Sequence, residues 1–313
     1  MKICVAGEGA FGNKHLDAIA RITDIEVVAL AGGVAEDTAS LARNRGIPFW
    51  TLDLEEAMAQ PGVEAVILAT PTPMHAPQAA QVLRAGKHVL VEIPMADSLA
   101  ASKNLVKLQK VSNRIGMVGH TRRFNPCHQW IYQQINKGLL TLQQMDVQTY
   151  FFRRSNINAL GQKRSWTDHL LWHHACHTVD LFQYHTGELS VNAFALQGPI
   201  DADLGVAMDM SIGLQVPSGA ICTVSLSFNN QGPLGSFIRY ICDNGTYTAR
   251  YDDLFDGHNN KIDVSKIADT TDGIELCDRE FFSAIKENRE PLASFEQCLQ
   301  TMQTLHNLEQ WLD

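Results

Sequence analysis

His169, His173 and His177 recur every four residues, so on a helix they line one face, with His174 beside them. A neutral imidazole, with a pKa near ~6.5, suits removal of a proton from a reacting hydroxyl. His173 and His177 are the candidate bases, and Asp168 or Asp180 is placed to orient the cluster. Two other readings of such spacing are metal ligation and satisfied core histidines. No H-E-x-x-H pattern is present, and no metal is expected.

A second chemical signal lies near Met1. Gly7-Glu8-Gly9-Ala10-Phe11-Gly12 matches G-x-G-x-x-G, directly after an apolar strand and at the opening of a helix. In that setting Gly7 permits the tight turn, Gly9 admits a pyrophosphate against the backbone, and Gly12 lets the helix approach the strand. Ala10 and Phe11 then sit at the helix N-terminus, whose free N–H groups attract anions. An NAD site calls for Asp or Glu at the end of the second strand to hold the ribose hydroxyls. That place reads Leu30-Ala31-Gly32-Gly33, with no acid, which favours NADP while still admitting NAD. No Arg follows the strand directly; Arg43 and Arg45 lie further on and read as solvated helix charges.

The elements that must hold these groups fall into two stretches. Over 1–119, strands are predicted at 3–6, 26–31, 65–69, 88–92 and 116–119. Helices alternate with them at 11–22, 36–44, 54–60, 77–85 and 100–109. This is the pattern of βαβ units and of an α/β Rossmann domain with a parallel sheet. Over 120–313, strands crowd together at 145–153, 191–196, 207–216, 220–229 and 237–242, with helices at 173–184, 279–287 and 296–312. That texture predicts an α+β domain with a large, mostly antiparallel sheet, the expected seat of substrate binding and oligomerisation. Such a sheet needs covering, so a homo-oligomer is expected.

Composition narrows the field. Hydrophobic residues at 45% and charged residues at 19% exclude a disordered chain. A net charge of −9 repels a phosphate backbone, so nucleic acid is not an expected partner. The seven cysteines are scattered with no C-x-x-C pair, which points to reduced thiols and a cytoplasmic protein. No apolar run approaches the roughly 18 residues of a membrane span.

Three further segments carry a resemblance. Ala69-Thr70-Pro71-Thr72-Pro73-Met74-His75, Val91-Glu92-Ile93-Pro94 and His173 through Asp180 resemble the loop after the fourth strand, the Glu-Lys-Pro motif and the Asp-x-x-x-His motif of the Gfo/Idh/MocA oxidoreductase family. The resemblance implies a nicotinamide dinucleotide with Thr70, Pro71, Thr72, His75, Glu92 and Pro94 along it, beside Gly32 and Gly33. It also implies a dimer, or a higher homo-oligomer. The chain departs from the family twice: Ile93 stands for the Lys and His173 for the Asp, while His177 is retained. An isoleucine carries no proton, so the Lys-assisted oxidation of sugars and polyols is not expected here.

Further segments narrow the resemblance within the family: Gly119 through Pro126, Tyr150 through Arg154, Arg164 through His174, and Ser225 through Asn230. They are similar to a branch whose substrate is a small dicarboxylate in cyclic hemiacetal form, oxidised to a lactone with NADP. A dianion calls for guanidinium forks. Arg122, Arg123 and Arg164 are the leading candidates to bind it, with Asn125, Trp166, His174 and Asn229 beside them. Of Arg153 and Arg154, neighbours in a predicted strand, at most one faces the pocket.

Overall fold

The computed structural model describes residues 1–157, 161, 164 and 166–312. The chain divides into two compact units. The first holds Met1–His120 and Ile274–Leu299; the second holds Thr121–Ile157 and the described residues of 162–273 and 300–312. The sequence reading leaves 274–299 with the second domain. In the structure the Val118 N–H donates to Ala293 O at 2.9 Å, and Met117 bridges Ser294. Such long-range pairing leaves no local pattern to read.

The first unit is built on a six-stranded parallel sheet. Its strands are β1 (Lys2–Ala6), β2 (Glu26–Ala31), β3 (Phe49–Thr51), β4 (Val63–Leu68), β5 (His88–Val91) and β6 (Gly116–Val118). Helices α1 (Ala10–Ile19), α2 (Ala35–Arg45), α3 (Leu54–Met58), α4 (Thr72–Arg84) and α5 (Leu99–Ser112) make the crossovers. Strands covered on both faces must be apolar throughout, and Ile3, Cys4, Val5, Val66, Ile67, Val89 and Leu90 are fully buried. The strand order is β3-β2-β1-β4-β5-β6. It reverses between β1 and β4, the switch point beyond whose carboxyl ends open α/β sheets bind ligands.

Local chemistry sets the helix ends. Gly46 closes α2 in the left-handed region at φ +66°. Ser98 caps α5 by accepting the Ala101 N–H at 3.3 Å. Helix α4 starts at Thr72 rather than at the predicted 77, because Pro73 suits the first turn and Pro77 is carried inside the helix.

The second unit holds an eight-stranded sheet in the order β14-β13-β12-β11-β7-β10-β9-β8. The strands are β7 (Leu142–Tyr150), β8 (Asn192–Gln197), β9 (Asp209–Gln215), β10 (Ile221–Ser227), β11 (Gly235–Cys242), β12 (Gly245–Arg250), β13 (Asp253–Phe255) and β14 (Lys261–Ile262). Only β7 and β10 pair in parallel. One face alternates into the core through Met145, Val147, Cys222, Val224, Leu226, Ile238 and Tyr240. Helices α6 (Pro126–Asn136) and α7 (Cys176–Thr186) belong to this unit, and a π-helical segment, Leu170–Ala175, leads into α7. The chain closes with α8 (Gly273–Glu287) and α9 (Phe295–Glu309).

Candidate active site

The glycine loop after β1 has the shape the motif requires. Gly7 sits at φ +112°, and a Cβ there would lie 2.3 Å from Ala69 O. A Cβ on Gly12 would lie 1.8 Å from Gly7 O, so the turn closes directly on α1. Gly9 differs: a Cβ there would meet nothing within 4 Å. It precedes α1 and offers no side-chain cap to the first-turn N–H groups, those of Ala10 and Phe11 among them. Two closed glycines and one open one fit a pyrophosphate laid against a helix N-terminus.

The end of β2 holds a residue that the sequence reading passed over. Glu8 reaches across from the glycine loop, and its carboxylate accepts the N–H groups of Gly33 at 2.9 Å and Val34 at 2.9 Å. Gly32, where a ribose-binding acid is customary, has no room for any side chain: its Cβ would lie 1.8 Å from Thr38 Oγ1. An acid is therefore present at the end of β2, delivered from another loop. Only a G-x-G reading that asks where x points would have found it.

The loops beyond β4 and β5 are locked together. His75 is 2% exposed, and its ring nitrogens lie 2.7 Å from Pro94 O and 2.8 Å from Thr70 O. Burial, only partly offset by these carbonyls, pushes His75 below the ordinary histidine value of 6.5. Its ring thereby joins the two loops. The Thr70 hydroxyl donates to Gln78 Oε1 at 2.6 Å, Pro71 precedes α4, and Thr72 is buried in its first turn.

Glu92 follows β5 and is likewise built in. It accepts the Ile93 N–H at 3.1 Å and a proton of His15 at 3.0 Å. The other nitrogen of His15 donates to Asp278 at 2.9 Å. Both nitrogens face carboxylates, so both carry protons and His15 is an imidazolium. Burial works against that charge, but Asp278 and then Glu92 outweigh it and push His15 up to about 10.

In the second unit the histidines gather, with a change of phase. His169 has extended dihedrals and precedes the helix, and Leu170–Ala175 is π-helical. His169 and His173 still meet, with ring centroids 5.8 Å apart, although the π turns depart from the 3.6-residue period. His173 Nδ1 accepts the His169 N–H at 3.1 Å, which leaves the proton of a neutral ring on Nε2. Trp166 lies beside His173, with ring centroids 5.2 Å apart. His177 stands half-buried in the first turn of α7.

Asp168 is the hub of the cluster. It accepts from Arg153, from Arg164 at 2.5 Å and from His174 Nε2 at 3.0 Å. Burial alone would raise its pKa, yet the bonds from His174 and Arg153 hold it well below the usual carboxylate range. A carboxylate only accepts, so His174 Nε2 carries the proton and Nδ1 keeps the lone pair. Burial among Phe151 and Phe228, aided by the charges of Arg153 and Arg122, pushes His174 below 6.5 despite Asp168. At neutral pH it is an uncharged, oriented base.

The arginines separate by partner. Arg123 is buried and bidentate on Asp180, with Nε and Nη2 each at 2.7 Å, and stacks over Tyr184. Asp180 also accepts the Thr301 hydroxyl at 3.0 Å, so this ion pair is tied to α9 as well. Arg122 differs, because it donates to the hydroxyls of Thr178 at 3.0 Å and Ser236 at 2.6 Å and has no carboxylate partner among the described residues. Burial pulls it down to about 10, so it stays charged at neutral pH. Asn125 caps α6 through the Cys127 N–H at 2.9 Å and bonds Asp252, a role its position before Pro126 signals. Asn229 bonds Arg154 and Asp209, outside the histidine cluster.

Residues 1–120 match the family described as Oxidoreductase family, NAD-binding Rossmann fold, and 126–268 match Bacterial oxidoreductases, C-terminal. Over 313 residues the chain is 56% identical to the 4-carboxy-2-hydroxymuconate-6-semialdehyde dehydrogenase of Sphingobium sp., covering 100% of this chain and 99% of that protein. The chain belongs to the Gfo/Idh/MocA oxidoreductase family. Solved structures share its fold. A putative myo-inositol dehydrogenase from Sinorhizobium meliloti has a TM-score of 0.84 at 20% identity, covering 100% of this chain and 97% of that one. An Agrobacterium radiobacter oxidoreductase, solved with NAD+, L-tartaric acid and magnesium, has a TM-score of 0.85 at 16% identity, covering 99% and 96%. This Gfo/Idh/MocA enzyme is thus an oxidoreductase with an NAD(P)-binding Rossmann unit.

Proposed function

We propose that this chain oxidises the cyclic hemiacetal of 4-carboxy-2-hydroxymuconate-6-semialdehyde to 2-pyrone-4,6-dicarboxylate, a step in breaking down protocatechuate-type aromatics. The observation that carries the reading is the 56% identity along the whole chain to a dehydrogenase named for that semialdehyde. The bound nicotinamide supplies a hydride acceptor. The glycine loop of Gly7, Gly9 and Gly12 would hold its pyrophosphate, with Glu92 and Pro94 at the end of β5 placed to flank it.

Loss of hydride from the hemiacetal carbon and of a proton from its hydroxyl leaves the lactone carbonyl. With Ile93 in the lysine's place, an imidazole takes the proton. His173 and His177 are the candidates by motif position, but His174 is the ring whose tautomer Asp168 fixes with a lone pair on Nδ1. We assign it the proton. Around it Arg153 and Arg164 share the Asp168 carboxylate, and the charge of Arg122 also acts on His174, an excess of positive charge suited to a dicarboxylate. Arg122 is the anchor without an acid of its own, and Trp166 flanks the cluster.

Covering of the second sheet by another copy of the chain belongs to the same proposal, since Phe194, Leu196 and Ile221 stand exposed on one face of β8 and β10. The lack of an acid at the end of β2 argued for NADP. Glu8 reopens that choice. Turnover of the semialdehyde against neutral sugars, followed at the reduced-nicotinamide band, tests the reading.

A further inference from the structure

We propose that Glu309 is a positioning residue: by accepting the indole N–H of Trp172 it holds the π-helical segment Leu170–Ala175 in the turn that aims His174 at Asp168. Its effect on the reaction rests on the reading of His174 as the base; the brace itself does not.

A π turn is rare, and it is frequent at functional sites. Here the Cys176 N–H donates to Leu171 O, five residues back, so one extra residue is wound into the approach to α7. Residues two apart on a helical segment do not share a face, and Trp172 and His174 part accordingly. His174 Nε2 donates to Asp168 at 3.0 Å, beside Phe151 and Phe228. Trp172 is buried, and its Nε1 donates to Glu309 Oε1 at 2.8 Å. The segment is thus held from both sides.

Glu309 ends a row of contacts along α9. Thr301 donates to Asp180 at 3.0 Å, and Thr304 accepts from Gln183 at 2.7 Å. The same helix therefore braces α7 at two points and the π-helical segment at a third, in its last residue. The Glu309 charge also acts on His169, whose N–H donates to His173 Nδ1 at 3.1 Å. A displacement of about 1 Å in a reacting group can cost about 10²-fold in rate, so a brace on this segment bears on the base without touching substrate.

Hydrogen exchange of the full chain without substrate, read by mass spectrometry on peptides spanning 170–176, tests the brace. Protection there should fall roughly tenfold in Trp172→Phe and in Glu309→Ala. It should stay near wild type in Glu309→Gln, whose amide oxygen still accepts the indole N–H. Unchanged protection in both Trp172→Phe and Glu309→Ala would overturn the proposal. Semialdehyde turnover tests the positioning. Glu309→Ala should lower kcat about 10–100-fold while KM moves less than about threefold. Glu309→Gln should restore most of kcat, and Glu309→Ala combined with Trp172→Phe should lose no more than either alone. Normal kcat in Glu309→Ala, a loss that Gln does not restore, or additive losses in the double variant would overturn the positioning role. A wild type that does not turn over the semialdehyde contradicts the substrate reading and leaves the brace to the exchange data, so the two fail separately.

Discussion

Asp168 gathers two guanidiniums and one imidazole, and of these three donors only the imidazole changes protonation near neutral pH. Replacing His174 with Ala should therefore lower kcat by about 10²–10⁴-fold, the range of general base catalysis. The same change at His173 should cost less, because its Nδ1 is engaged by the His169 N–H. The acid limb of the rate profile should lie below 6.5, since burial depresses the His174 pKa. Asp168→Asn removes the group that raises that pKa, so the limb should move further down. Near-normal turnover in His174→Ala, or a limb unmoved in Asp168→Asn, contradicts the assignment. Sequence alone brings the four histidines together but not this ranking. It depends on a π turn and on a carboxylate six residues away whose direction no spacing rule gives. Glu8 was hidden for the same reason: its partners lie 25 and 26 residues along the chain. Arg122 and Arg123, adjacent in sequence, differ only in whether an acid meets them in space.

At the scale of elements, His15 joins α1 to the end of β5 and to α8 through two carboxylates. Its protonated form is favoured by folding, with a value raised from 6.5 to about 10. The sign follows directly. The folded chain binds this proton more tightly than the unfolded one, so the stabilisation is complete below 6.5 and is lost as pH rises through about 10. Urea midpoints of the wild type should fall across that window. His15→Leu should unfold about 3–5 kcal/mol more easily at neutral pH, because two buried carboxylates lose their counter-charge. It should also lose most of the pH slope; a slope unchanged in this variant would remove the imidazolium from the account. The βαβ alternation was legible because strands covered on both faces read as apolar runs. The short β3, β13 and β14 and the whole of α6 were not, being too brief or too mixed in pattern to stand out. The placing of 274–299 with the first unit depends on contacts such as His15 to Asp278, which span 263 residues.

For the whole molecule, the exposed Phe194, Leu196 and Ile221 predict self-association through the second unit's sheet. Light scattering behind size exclusion should show a dimer or larger at micromolar concentration, and Phe194→Glu with Leu196→Glu should shift it to monomer. A monomer at every concentration in the wild type contradicts this. Among the described residues, no helix is long and apolar enough to cross a membrane. The glycine motif, the parallel sheet and the family were legible before any coordinates, since each depends on residues close in sequence. The central claim concerns the fate of one hydrogen. With semialdehyde deuterated at its aldehyde carbon, product analysis by mass spectrometry should find the label on the reduced nicotinamide and none in the 2-pyrone-4,6-dicarboxylate. Reduction of the dinucleotide by neutral sugars but not by this semialdehyde, or a lactone that keeps its deuterium, would contradict it.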